Sequence, residues 1–164
     1  MLYAFTTINA GRKKILHGWR KNFSQLEKKE KIHRTKIYKN MKKVICSPKA
    51  PGAIGPYSQA IEANGMVFVS GQLPIDAATG VMPEGAAAQA RQSLENVKHI
   101  LEEAGLGMAN IVKTTVFLAD MSLFADMNSV YATYFEGDFP ARSAVAVKAL
   151  PKDALVEIEC IAVR

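Results

Sequence analysis

Arg142 makes the strongest chemical demand of any residue in this chain. It lies in Phe139-Pro140-Ala141-Arg142-Ser143-Ala144-Val145-Ala146-Val147, where one cation interrupts what otherwise reads as the start of a buried strand. Pro140 fixes its own φ and biases Phe139 towards an extended conformation, so the strand is expected to begin at Ala141 or Arg142, with the guanidinium at its mouth. A guanidinium is always charged at neutral pH and offers a rigid fork of donors. At a half-buried site it needs an anion, either a protein carboxylate or the carboxylate or phosphate of a ligand. Arginines at strand ends are often paired or solvated, and this stretch alone leaves both answers open. Of the carboxylates, Glu157 and Glu159 alternate with apolar residues in Val156 to Val163, and parity puts both on one face without choosing between them. Ser70 ends an apolar run with no histidine near it in sequence, which argues against a nucleophile and for a plain strand-end serine. Tyr57, after Pro56, reads as a rim aromatic with its hydroxyl in solvent.

The elements that must position these groups follow from periodicity. Lys43 to Ser47 can form a short strand before the Pro/Gly-broken loop 48–56. Tyr57 to Glu62 and Met66 to Ser70 read as strands joined at Asn64-Gly65, a strong hairpin signal, with Gly71 and Gln72 closing the second. Residues 74–83 are a turn-rich excursion. Ala86 to Ala104 is a helix whose apolar positions recur at Ala90, Leu94, Val97 and Leu101, stopped by Gly105; His99 lies beside this stripe as a surface or edge residue. Asn110 to Asp120 is a strand rich in β-branched residues. Ser122 can cap a second helix with Phe124, Met127, Tyr131 and Tyr134 on one side, read as core. The Arg142 strand, a turn at Pro151-Lys152-Asp153 and a strand from Leu155 to Val163 complete the order β, β, β, α, β, α, β, β. That order predicts one mixed α+β sheet with both helices on one face. The other face carries enough apolar side chains to pack against another copy of the chain, which predicts an oligomer.

The 164 residues, 49% hydrophobic and 22% charged, suffice for one domain with a real core. No apolar run approaches the roughly 20 residues that cross a bilayer. Cys46 and Cys160 are too few and too far apart for a disulfide framework or zinc site, and each sits in an apolar context that suggests a buried, reduced thiol in a cytoplasmic setting. The net charge of +6 is unevenly placed: residues 1–40 hold 11 Lys/Arg and 2 acids, residues 41–164 hold 10 and 13. The basic character therefore belongs to an N-terminal extension, and nucleic-acid binding by the domain over 41–164 is not expected. Arg12, Lys13, Lys14, Arg20 and Lys21, interleaved with Leu16, Trp19, Phe23 and Leu26, fit an amphipathic basic helix of the transit-peptide or membrane-surface kind. Residues 27–40 read as a solvated polar run. An over-extended start or a leader, with the natural chain beginning at Met41, fits the same boundary. His17 and His33 in this extension are read as solvated.

Six stretches, GPYSQA at 55–60, VSGQLP at 69–74, QARQSLENVKHILEEAG at 89–105, VKTTVFLADM at 112–121, FPARSAVAV at 139–147 and VEIECIAV at 156–163, together resemble the RidA (YjgF) family of reactive-intermediate deaminases. The resemblance covers nearly everything from Val44 to Arg164 and has no counterpart before Met41. It implies a chorismate-mutase-like α+β fold in a homotrimer, with ligand clefts between adjacent subunits. The implied activity is hydrolysis of 2-imino acids such as 2-iminobutanoate and 2-iminopropanoate to 2-oxo acids and ammonia, with no metal or cofactor. By motif, Arg142 would clamp the substrate carboxylate and Glu157 would position the attacking water. Tyr57, Ser70 and the following Gly71 match the cleft positions of their motifs, and Asn128 matches an asparagine near the cleft. Residue 144 is alanine where many members have cysteine, so a thiol has no part in the cleft.

This chemistry suits the residue types. A protonated imine is already electrophilic, so the protein need only hold the carboxylate and align a water, and no acyl-enzyme through Ser70 is required. The rival expectations are a non-catalytic trimeric ligand-binding or holdase-like protein of the same fold, and an RNA-cleaving or translation-inhibiting relative. A chorismate mutase would need a second cation for its dicarboxylate, and only Arg142 stands in a motif position.

Overall fold

A computed structural model describes residues 25–31 and 42–164. Residues 25–31 form a helical segment exposed along its length. The amphipathic basic helix expected upstream, and His17 and His33, lie outside the described residues. The second compact unit, Lys42–Arg164, is described by itself below.

Its strands are β1 (Lys43–Ile45), β2 (Ala60–Ala63), β3 (Met66–Gln72), β4 (Ile111–Leu118), β5 (Ala141–Ala146) and β6 (Val156–Val163), and its helices α1 (Ala86–Glu103) and α2 (Phe124–Tyr131). They make one six-stranded sheet in the order β1-β2-β3-β6-β4-β5. All neighbours are antiparallel except β4 and β5, which run parallel and are joined by the crossover through α2. The β2–β3 hairpin turns at Asn64 (φ 51°) and Gly65 (φ 76°), the left-handed pair that matches strand twist. Helix α1 ends in a Schellman motif: Gly105 is at φ 71°, its N–H donates to the Glu102 carbonyl at 2.9 Å, and the Leu106 N–H donates to Leu101 at 2.9 Å.

Both helices cover the same face. Val97, Ile100 and Leu101 of α1 pack with Val67, Val69, Cys160 and Ala162. Leu94 of α1 with Met127 and Tyr131 of α2 packs on Val116, Leu118, Val156 and Ile158. The α+β order and the one-sided helix layer are as the sequence predicts. The opposite face is uncovered in the single chain, with Val44, Phe68 and Val145 exposed.

Several local expectations are corrected. Strand β2 begins at Ala60, not Tyr57, because the Gln59 side chain is committed to the 47–51 loop: Oε1 accepts from the Ser47 N–H at 2.6 Å, and Nε2 donates to the carbonyls of Ser47, Ala50 and Pro51. Asp120, not Ser122, caps the turn before α2, since its carboxylate accepts the Ser122 N–H at 2.8 Å. Cys46 is exposed, because β1 ends before it at the sheet edge, whereas Cys160 is buried. Strand β5, expected to be buried, is an edge strand whose outward residues are exposed.

Candidate functional site

Strand β6 presents Glu157 on the uncovered face of the sheet, level with Phe117 of β4. Strand β3 passes it with an irregularity between Val69 and Gln72 that brings Gly71 against its carboxylate. A Cβ on Gly71 would overlap Oε1 of Glu157 and lie 2.9 Å from its Cδ, so the carboxylate keeps this placement only beside a glycine. Burial pushes the Glu157 carboxyl above its ordinary value, and the Glu159 carboxylate on the same face adds to the shift. Tyr57, Ser70, Gly71, Lys152 and Glu157 line one cavity of about 560 Å³, whose apolar wall includes Ile54, Leu73 and Ile75. Its walls are pinned from behind. Gln59 holds the loop bearing Pro51 and Gly52, and buried Asn96 of α1 donates to the carbonyls of Leu73 and Ile75, each at 2.9 Å. The Ser70 hydroxyl donates to the Ser58 carbonyl at 2.7 Å, a positioning bond that occupies its proton. Tyr57 is exposed on the rim, as expected.

Arg142 belongs to a second constellation. On β5 it pairs with Thr114 of β4 and turns to the helix side. Its Nη1 donates to Oδ1 of Asn128 at 2.8 Å, and its Cζ lies 4.5 Å from the centroid of the Tyr131 ring and 5.4 Å from that of Phe124. Among the described residues no carboxylate pairs with it, whereas Lys98 pairs with Glu95 and Arg164 with Glu62. Asn128, Tyr131, Phe139, Pro140 and Arg142 line a cavity of about 340 Å³. Ala144, two residues on, is half-buried against the core.

Register keeps the two constellations apart within one chain. Arg142 is level with Thr114 and Cys160, and Glu157 with Phe117 and Val145, an odd offset of three that puts them on opposite faces. Two strand spacings and three residues of rise separate their Cα atoms by about 14 Å. The structure thus gathers Tyr57, Ser70, Gly71 and Glu157 in one cavity and Asn128 with Arg142 in another, and does not join them. Periodicity in the sequence marks Phe124 and Tyr131 as core alone and assigns no site role to Lys152 or Gln59. The i, i+4, i+7 spacing of Phe124, Asn128 and Tyr131 was the available signal for the first pair, since it places all three on one helix face.

Residues 47–164 match the family described as Endoribonuclease L-PSP. The chain is 54% identical over 127 residues to a 2-iminobutanoate/2-iminopropanoate deaminase of Salmonella typhimurium, covering 76% of this chain and 99% of that protein. The YjgF gene product of Escherichia coli superposes with a TM-score of 0.73 at 52% identity, over 74% of this chain and 98% of that one. The structure of Escherichia coli TdcF with bound serine gives a TM-score of 0.72 at 50% identity, again over 74% and 98%.

Proposed function

This chain belongs to the Endoribonuclease L-PSP family, the RidA (YjgF) proteins that its motifs resemble, and on that premise we propose that it hydrolyses 2-imino acids such as 2-iminobutanoate and 2-iminopropanoate to 2-oxo acids and ammonia. The observation that carries the reading is the state of Arg142: a half-buried guanidinium with no protein carboxylate among the described residues, anchored by an amide oxygen and left with donors for a ligand. The relative with bound serine is in keeping with a small ligand that carries an α-carboxylate.

Arg142 clamps that carboxylate, and Glu157 serves the imine carbon. Water adds to the protonated imine as Glu157 takes one of its protons, giving a neutral carbinolamine. The proton passes from Glu157 to the amine nitrogen. The carboxylate then takes the hydroxyl proton as the C–N bond breaks, and departing ammonia recovers it as ammonium. The raised proton affinity of Glu157 suits a group that must both accept and return a proton. Tyr57 and Ser70 shape the rim and wall of the cavity, and Gly71 leaves room for the carboxylate.

Because Arg142 and Glu157 face opposite ways in one chain, the site is completed by a second copy, and we assign a homotrimer with clefts between subunits. The exposed apolar side chains of the uncovered sheet face support such an assembly. Among the described residues no helix is long and apolar enough to cross a membrane, and both cysteines are free, in keeping with a cytoplasmic enzyme. The 13 acids of residues 41–164 outnumber their 10 Lys/Arg and so disfavour the phosphate contacts that the ribonuclease activity named in the family description would need.

The test is the rate at which the purified protein clears 2-iminobutanoate, generated by a threonine dehydratase in the presence of semicarbazide as a competing trap, beside its Arg142→Ala variant. Acceleration that vanishes in the variant supports both reaction and clamp. A folded, assembled wild type that leaves the rate of semicarbazone formation unchanged moves the reading to a binding protein.

A further inference from the structure

Arg142 lies over aromatic rings and has no ion-pair partner among the described residues. The guanidinium lies between an amide oxygen and two aromatic rings supplied by one face of α2, with Cζ 4.5 Å from the Tyr131 centroid and 5.4 Å from that of Phe124. Tyr131 is itself held firmly. It is 3% exposed, its ring lies 4.8 Å from that of Phe135, and its hydroxyl shares a 2.7 Å hydrogen bond with Thr114, a residue with no exposed surface. Thr114 is also the β4 residue paired with Arg142. The strand position that sets the height of the arginine therefore also pins the ring on which it rests.

We propose that Tyr131 is a positioning residue for the imine-hydrolysing site, with Phe124 as a second wall: the ring faces fix the guanidinium plane without neutralising its charge, so the donors that Asn128 does not use stay directed at an incoming carboxylate. This rests on the reading of Arg142 as the carboxylate clamp. A protein carboxylate in place of the ring would hold the arginine equally well, but the substrate would have to displace it. A solvated arginine would lose side-chain freedom each time a ligand bound. The negative face of an aromatic ring attracts the cation from above and leaves the in-plane N–H groups unoccupied. Lysine would be attracted to the same rings but not oriented by them, because its ammonium has no plane to align.

The test measures calorimetric affinity for 2-oxobutanoate, a product bearing the same carboxylate, together with imine-hydrolysis kinetics, for wild type, Tyr131→Leu and Tyr131→Phe, with Arg142→Ala as the floor. Tyr131→Leu should weaken binding about tenfold and raise KM more than it lowers kcat. Tyr131→Phe keeps the ring and should stay within about twofold of wild type, a rescue that a role in stability through the Thr114 bond would not produce. Should Tyr131→Leu not fold, Phe124→Leu replaces it, with an expected loss of about threefold. Wild-type affinity in a folded Tyr131→Leu, or in Phe124→Leu as its substitute, overturns the proposal. So does a loss in Tyr131→Phe equal to that in Tyr131→Leu. If wild type binds 2-oxobutanoate through Arg142 yet turns over no imine, the deaminase reading falls while the affinity series still decides the role of Tyr131. Absence of binding by wild type removes the clamp and this proposal with it.

Discussion

Arg142 and Glu157 stand on opposite faces of one sheet: Arg142 is level with Thr114 and Cys160 on the helix-covered side, and Glu157 with Phe117 on the uncovered side. If the two serve one small imino acid as proposed, they come from different copies of the chain.

Mixing inactive variants tests that directly. Arg142→Ala and Glu157→Gln should each lower kcat/KM by about two to four orders of magnitude. Dissociated and reassembled together, they should recover about a quarter of wild-type activity, since one site in four then draws its arginine from one parent and its glutamate from the other. No recovery in verified mixed assemblies would mean that both residues serve from the same chain.

Gly71→Ala forces a methyl group into the space of the Glu157 carboxylate. The carboxylate must swing aside to accommodate it, so the variant should stay within about 1 kcal/mol of wild-type stability and lose at least about tenfold in kcat. Urea unfolding and steady-state rates check the two effects, and a wild-type rate would show that the placement of the carboxylate beside Gly71 is not needed.

The Glu157 carboxyl is raised above its ordinary value of 4.5 by burial and by Glu159, and in the proposed reaction its ionised form activates water. The acidic limb of kcat should therefore lie above that value, and Glu159→Gln should move it to lower pH. The folded state holds this proton more tightly than the unfolded chain. The group's contribution to stability is thus complete below the unfolded pKa and lost as pH rises through the folded one. Relative to wild type, Glu157→Gln should gain stability as pH rises above the ordinary carboxylate value and through the raised one, as read by unfolding midpoints.

Asn128→Asp places a carboxylate where Arg142 now has an amide oxygen at 2.8 Å. It should pair with the guanidinium, hold or raise thermal stability, and raise KM about tenfold or more because the substrate must compete for the same donors. An unchanged KM would show that the charge on Arg142 is not reserved for the ligand.

Phe68 is 42% exposed on the uncovered face, so Phe68→Asp should cost the single chain little. If that face is buried between copies, the substitution should dissociate the assembly on native mass spectrometry and abolish imine hydrolysis together. An intact, active assembly would move the interface elsewhere on the molecule.

What could be read from sequence was local. The Asn64-Gly65 hairpin, the α1 stripe from Ala90 to Leu101 with its Gly105 stop, and the alternation through Val156 to Val163 each depend on neighbours a few residues away, and the structure carries all three. Periodicity also identified a sheet with one helix-covered face, since Val97, Leu94, Val116 and Ile158 had to meet somewhere. The differences arise where a particular side-chain partner or strand end decides, which periodicity does not report. Gln59 gave up strand geometry to hold a loop 8–12 residues away, Asp120 reached the cap before Ser122 did, and Cys46 ran past the end of an edge strand.

The sequence by itself determined the elements, their order and the residues with chemical potential, because helix and strand periods, turn residues and the fixed charge of a guanidinium are properties of short stretches. Only the tertiary structure decided that β5 lies at an edge, that Arg142 rests on Tyr131 with no carboxylate beside it among the described residues, that Gly71 yields its space to Glu157, and that the two charged groups face apart. Those facts depend on strand order and register. Register is set by the burial of whole faces at once, and a shift of one residue in β5 or β6 would turn Arg142 or Glu157 to the other face.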